Sequence, residues 1–304
     1  MRPRPWLLPL LAALGMAVSC GLPGAAPPTS FVFPTPNQTL TAVFFEPTQT
    51  PVVAVETFTP GPAPTEPPTV VTPGTLPPTA TLSTLSTRPN GAVIEADRLA
   101  TGPTIDGELG DWSSPFSAAD KVVYGASRWT GVNDDSGMFA LGWDATHLYV
   151  AVQVTDDKYV QVANGADIWM GDEVELQFDA DLAADYSRAS LSADDTQLGL
   201  SLGNFGNIPV QSYRWYPQSQ RGPAAGVTVA GKATPQGYDV EARIPWAVFG
   251  VTPAEGGRYG FALSISDNDL AGVAAQQSMV SSVSTRTLIN PTTWGTLALG
   301  GGPE

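Results

Sequence analysis

Cysteine is almost missing from this chain of 304 residues: Cys20 stands alone, ahead of every segment able to fold. No disulfide or thiolate metal site can therefore support a domain. Histidine is as scarce. His147 is the one imidazole, no G-x-S-x-G stretch accompanies it, and a serine triad would depend on a residue at the start of an alternating segment. Basic residues number 14 against 29 acids, for a formal net charge of −15. All but three of each kind lie beyond position 90, so the negative charge belongs to the C-terminal part of the chain. Such a surface repels nucleic-acid phosphates and anionic head groups, leaving neutral ligands, cations and basic partners.

Long apolar runs are missing too. The one candidate, Trp6 to Val18, is short for a bilayer and is interrupted by Pro9. Arg2 and Arg4 precede it and Ser19 and Cys20 follow, so residues 1–19 predict an export signal. Ala17-Val18-Ser19-Cys20 resembles a bacterial lipobox, with Ala17 where Leu is usual. That resemblance implies an acylated Cys20 as the first mature residue, and hence a membrane lipid anchor on the extracytoplasmic face. An anchor also explains an exported chain with one unpaired cysteine.

Between residues 20 and 90 proline dominates: 16 of the chain's 29 prolines lie there, interleaved with threonine, and only Glu46, Glu56, Glu66 and Arg88 carry charge. Proline removes amide donors and favours extended backbone, so this composition predicts a disordered linker rather than a core. At about 3.1 Å per residue its reach is on the order of 100–200 Å. Phe31-Val32-Phe33 and Val43-Phe44-Phe45 are apolar interruptions in it.

Residues 91–304 have the size of one large all-β domain. "HLYVAVQVTD" (147–156) sets Leu148, Val150, Val152 and Val154 on one face, and "DEVELQFDAD" (172–181) and "GYDVEARIPW" (237–246) repeat the alternation. Further strands are expected at 137–143, 196–202, 210–216, 226–233, 258–266 and 292–299, with a helical turn after Pro245. Many short strands and almost no helix predict an antiparallel β-sandwich.

Seven fragments in order, "TIDGELGDW" (104–112), "LGWDATHLYVAVQVTDD" (141–157), "WMGDEVELQFD" (169–179), "DDTQ" (194–197), "GYDVEARIPW" (237–246), "GFALSISDND" (260–269) and "NPTTWGTLAL" (290–299), resemble the family 9 carbohydrate-binding modules. The resemblance implies a non-catalytic, calcium-stabilised β-sandwich that binds polysaccharide or glycan, here at the cell surface. Family members that grip a sugar use two tryptophans, with acidic, arginine and amide side chains on the hydroxyls. Trp169 aligns with the first tryptophan and Glu175 with the strand's acidic residue, and Asp172 and Gln197 join them as candidate hydroxyl partners. The expected arginine, asparagine and second tryptophan fall on Gly199, Ser201 and Leu288. Trp129 and Trp215, the latter beside Arg214, are candidates for the missing half of the clamp.

The physical logic is independent of the family. An indole covers the C–H face of a pyranose with little rotamer freedom to lose, and ionised carboxylates accept strongly from hydroxyls. Open sites of this kind bind at micromolar to millimolar levels, about 4 to 8 kcal/mol. The same residues also admit a plainer reading, with Trp169 as a rim residue over the core and Glu173, Glu175 and Gln177 as a solvated strand face.

Asp156, Asp157, Asp267 and Asp269 gather oxygen ligands at strand ends, where a structural Ca2+ would sit, although turn chemistry favours the same residues. Two other functions remain open: a surface protein–protein adhesion module, and a haem-binding redox module in which Met138, Met170 or Met279 would ligate iron with a histidine or lysine, against which His147, the one imidazole, lies in the wrong fragment. No carboxylate pair is marked out as catalytic, so the domain reads as a binding protein rather than an enzyme.

Overall fold

The computed structural model describes residues 87–301. The segments expected to form an export signal, a lipidated Cys20 and a linker lie outside the described residues through position 86. Fourteen strands follow in order: β1 (Ile94–Arg98), β2 (Ser117–Ala119), β3 (Lys121–Tyr124), β4 (Asp135–Trp143), β5 (His147–Asp156), β6 (Glu173–Asp179), β7 (Asp195–Ser201), β8 (Gln211–Tyr216), β9 (Gly222–Pro223), β10 (Thr228–Thr234), β11 (Gly237–Pro245), β12 (Arg258–Asp267), β13 (Ser278–Ser281) and β14 (Gly295–Leu299). Helical structure among the described residues is limited to short 3-10 segments.

The strands form two layers. One runs β10-β11-β5-β4, the other β14-β12-β6-β7-β8-β9. β1 joins them, pairing in parallel with β14 through Ile94 opposite Leu297 and with β4 through Ala96 opposite Leu141. At the other end the chain crosses again, from β2 on β4 to β3, which pairs with β13 on β12. The result is the expected β-sandwich, with its sheet curled through the linking strands.

The alternating sequences make the core. Val150, Val152 and Val154 of β5, Val240 and Ala242 of β11, and Val174, Leu176 and Phe178 of β6 all face inward and are buried. Phe139 of β4 meets Phe261 of β12 across the layers, with ring centroids 6.5 Å apart. Phe178 is the aromatic hub, stacked 4.2 Å from Phe249 and 4.9 Å from Tyr259, with Trp246 edge-on at 6.4 Å. The expected turn after Pro245 is a 3-10 segment, Trp246–Val248, which delivers Trp246 and Phe249 to that hub.

One departure matters for everything below. The solvated-face reading of Glu173, Glu175 and Gln177 does not hold: all seven residues of β6 are buried. β6 lies between β12 and β7, and its polar side is roofed by segments from elsewhere in the chain. Arg88 supplies one piece of that roof. Its guanidinium sits 2.8 Å from Asp179 Oδ2, its backbone N–H donates to Thr296 Oγ1, and Gly260 leaves the room, since a Cβ there would lie 2.3 Å from Arg88 Nη1. Packing against the sandwich thus includes Arg88, ahead of position 91.

Phe178→Ala would empty the hub without offering small neighbours to refill it. We expect a loss of about 3–5 kcal/mol, seen as a lower urea midpoint with an unchanged slope.

Candidate ligand-binding site

The polar side of β6 looks toward a cavity of about 760 Å³. Trp169 forms one wall. It belongs to the 3-10 segment Gly165–Met170, in which Ile168 points inward and is fully buried while the next residue points out, leaving Trp169 39% exposed. The segment is fixed from three sides. Ser266 Oγ donates to the Trp169 carbonyl at 3.1 Å, Gln161 Nε2 to the Ile168 carbonyl at 2.9 Å, and Trp215 Nε1 to the Ala166 carbonyl at 2.8 Å. The wall is therefore set before any ligand arrives.

Trp215, on β8, lies deeper and is 9% exposed. Its ring occupies space that Gly199 of β7 leaves open: a Cβ at 199 would stand 2.4 Å from Trp215 Cη2 and 2.6 Å from Glu173 Oε2. The missing family arginine thus has a physical counterpart. Where a long side chain is expected on β7 there is none, and an indole from the neighbouring strand fills the gap.

The guanidinium comes from elsewhere. Arg286, in the loop before Leu288, pairs with Glu175 Oε1 and also donates to Met279 Sδ at 3.1 Å. Glu175 is held further by Gln197 Nε2, which donates to Oε2 at 3.1 Å, and by Gln177 Nε2 on Oε1. The loop expected to bring a tryptophan at 288 brings Arg286 to the site, and β7, expected to bring an arginine at 199, leaves room there for Trp215. Leu288 itself lines the rim, 42% exposed, as do Tyr124 of β3, 53% exposed, and Arg221.

Glu173 is adjacent but sealed. Neither carboxylate oxygen has a hydrogen-bond partner, and burial first, then the neighbouring Glu175, push its carboxyl well above the usual range, with Arg286 opposing.

Of the residues expected from sequence, the cavity brings together Trp169, Glu175, Gln197 and Trp215. Three others go elsewhere. Arg214 lies on the opposite side of β8 from Trp215, as strand alternation requires, and donates to the carbonyls of Gln220 and Val248 at 3.1 and 3.0 Å. Trp129 packs on the core edge with its Nε1 on the Asp135 carbonyl at 2.9 Å. Asp172 is buried away from the cavity and accepts from the backbone of Val160 and Asn268. Ser201 also turns aside, accepting from Gly203 N at 3.2 Å. Arg286 and Tyr124 were not anticipated. One sits in a loop without periodicity, the other in a four-residue strand too short to show any.

Asp172 belongs to an acidic group instead. Asp156, Asp172 and Asp267 bring carboxylate oxygens within 4.8 Å of one another, and Asp134, Asp157 and Asp269 do the same. The paired acids of the sequence are thus dealt out alternately, one of each pair to each cluster. Burial, reinforced by neighbouring carboxylates, raises Asp156 to about 6 and Asp267 to about 7, and raises Asp135 and Asp172 as well. Oδ2 of Asp135 and Asp156 and Oδ1 of Asp267 and Asp269 have no hydrogen-bond partner. Buried, mutually repelling, unpartnered carboxylate oxygens are the donor set that a hard divalent cation satisfies. The residues fit calcium.

Residues 105–302 match the family model described as carbohydrate family 9 binding domain-like. Two similar solved structures are of a carbohydrate binding module family 9 from Caldicellulosiruptor kristjanssonii. The one in complex with cellotriose has a TM-score of 0.53 and 22% identity, over 70% of this chain and 96% of that one. The one in complex with glucose has a TM-score of 0.51 and 22% identity, over 70% and 98%. At this identity the likeness shows the fold. No curated protein sequence matches the chain.

Gly199→Ala tests the packing of the site. The added methyl displaces the Trp215 ring or Glu173, and we expect a loss of about 1–3 kcal/mol together with a shifted tryptophan emission maximum.

Proposed function

The chain belongs to the carbohydrate family 9 binding domain-like family, and from that premise we propose that its domain binds a saccharide in the Trp169 cavity without catalysing a reaction on it. The observation that carries this reading is one exposed indole held rigid beside a bonded Glu175–Arg286–Gln197 network. The indole offers its face to the C–H side of a sugar ring. The network offers an accepting carboxylate, a guanidinium with further N–H groups and an amide to the hydroxyls at the ring's edge. Tyr124, on the rim of the same cavity, is the second aromatic surface where Leu288 offers none.

A binding role without catalysis at this cavity is supported by the state of its two carboxyls. Glycoside hydrolysis needs one acid and one base or nucleophile free to reach the substrate. Glu173 is sealed beneath Trp215, and Glu175 is committed to Arg286.

The sequence supports a surface setting. An export signal at 1–19, Cys20 in a lipobox-like context and a Pro/Thr-rich linker to residue 90 would tether the domain to the extracytoplasmic face of the membrane and hold polysaccharide or cell-wall glycan near it. We also assign Ca2+ to the Asp156–Asp172–Asp267 and Asp134–Asp157–Asp269 clusters, where its charge would hold the ends of β4, β5, β6 and β12 together.

Two outcomes follow. Trp169→Ala should abolish retention in affinity gels containing the bound glycan, and Glu175→Gln should weaken it about tenfold or more, with both variants folded by circular dichroism. Retention indifferent to Trp169→Ala removes the site. For the cation, melting in EDTA and in excess Ca2+ should differ by an amount equal to about 2.7 kcal/mol per bound ion at a hundredfold excess over Kd. Without the ion, the raised carboxyls favour their protonated forms in the folded state. Their contribution is then full below about pH 4, the unfolded carboxylate range, and is lost as pH rises through 6 and 7. Melting in EDTA should accordingly rise on acidification from pH 8 to 5, and added Ca2+ should flatten that dependence.

A further inference from the structure

A second cavity, also of about 760 Å³, opens at the far end of β1 between Arg98 and the loop that carries Trp112. It shares no lining residue with the Trp169 cavity. β4 runs from Asp135, beside the acidic clusters, to Trp143 beneath Arg98, so about 25 Å of strand separates these two ends of the sandwich.

The loop is built, not loose. Glu241 of β11 is fully buried, and its Oε2 accepts from the backbone N–H groups of Asp106 and Gly107 at 3.0 and 2.7 Å, while its Oε1 accepts from Trp112 Nε1 at 2.7 Å. Gly107, at φ +88°, lies so close to β10 that a Cβ would stand 2.8 Å from Gly231 Cα. Gly102 presses on the Tyr149 hydroxyl in the same way, at 2.3 Å. This is the structural content of "TIDGELGDW": one buried carboxylate gathers the loop and fixes the orientation of the Trp112 ring, which remains half-buried at the cavity wall.

Arg98 faces that wall. Its guanidinium lies 5.6 Å from the Trp143 ring centroid, it is exposed, and among the described residues it makes no ion pair in a domain where acids outnumber bases more than twofold. Asp97, Ser113 and Ser114 add acceptors and hydroxyls, and Asp111 keeps one carboxylate oxygen after accepting from Thr104 N at 2.9 Å. An immobilised indole, a free planar fork of donors and flanking acceptors form a constellation suited to a polyhydroxylated ring. An anionic ligand is disfavoured because Asp97 and Asp111 outnumber Arg98.

We propose that this cleft is a second saccharide site, for a neutral pyranose, which makes the domain bivalent. The class of ligand rests on the reading given for the Trp169 cavity; the existence of the site does not.

The full chain carrying nitrogen-15 tryptophan has eight indole N–H signals, assignable by single substitution. It is titrated with cellotriose, xylotriose and maltotriose as wild type, Trp169→Ala and Arg98→Ala. The proposal expects the Trp112 signal to shift with at least one of these sugars, to shift equally in Trp169→Ala, and to need about tenfold more sugar in Arg98→Ala. Arg98→Lys, which keeps the charge and the stem, guards against a folding defect and should retain part of the response. A Trp112 signal that stays still while the Trp169 signal moves overturns the second site alone. A Trp112 shift that vanishes in Trp169→Ala assigns it to the first site and also overturns the proposal. A moving Trp112 beside a still Trp169 upholds the second site and removes the first. If neither signal moves with any sugar, both fall.

Discussion

β6 carries a demand that shapes the site. Its inner face must be apolar to complete the core around Phe178, and its outer face carries Glu173, Glu175, Gln177 and Asp179, all of them buried. A charged group taken out of water costs several kcal/mol unless it is paired or neutralised, so each of these side chains recruits something. Asp179 has Arg88, Glu175 has Arg286 with Gln197, and Glu173 is covered by Trp215. These partners arrive from the start of the domain, from its end and from β8. The polar face of one central strand thereby gathers distant parts of the chain, and the cavity is what remains between them.

The same physics acts at the end of the sandwich where β4, β5 and β12 converge. Asp134, Asp135, Asp156, Asp157, Asp172, Asp267 and Asp269 crowd there, and six of them form two triads, Asp156–Asp172–Asp267 and Asp134–Asp157–Asp269, beside Asp135. Since Asp172 and Glu173 are consecutive, whatever settles the acidic triad also settles the entry of β6 and the 3-10 segment that presents Trp169. The acidic triad and the wall that presents Trp169 are joined there through one peptide unit.

Most of the sandwich was legible in the sequence because alternation is a strong signal in long strands. "HLYVAVQVTD" is β5 residue for residue, and "GYDVEARIPW" contains all of β11. β1, β2, β3, β9 and β13 were not legible. They are short, or, like β1, mix acids and bases while bridging layers in parallel. At the site, Trp169, Glu175, Gln197 and Trp215 were legible by residue type and place. Arg214 was misplaced although the rule that excludes it is simple, since neighbours on a strand face opposite ways and Trp215 already points to the cavity. Arg286 left no signal, because its role depends on a loop folding back onto Glu175, 111 residues earlier in sequence.

The seat of Arg88 has a mechanical consequence. Tension entering at residue 87 meets, beside the contacts of Thr87 with Tyr186 and Arg258, a guanidinium lodged against Asp179 of the interior strand β6, with the Arg88 amide tied to Thr296 of β14. A load entering there is shared between an interior strand and the strand that helps bridge the two layers, so it shears the sandwich as a block instead of unzipping it from an edge.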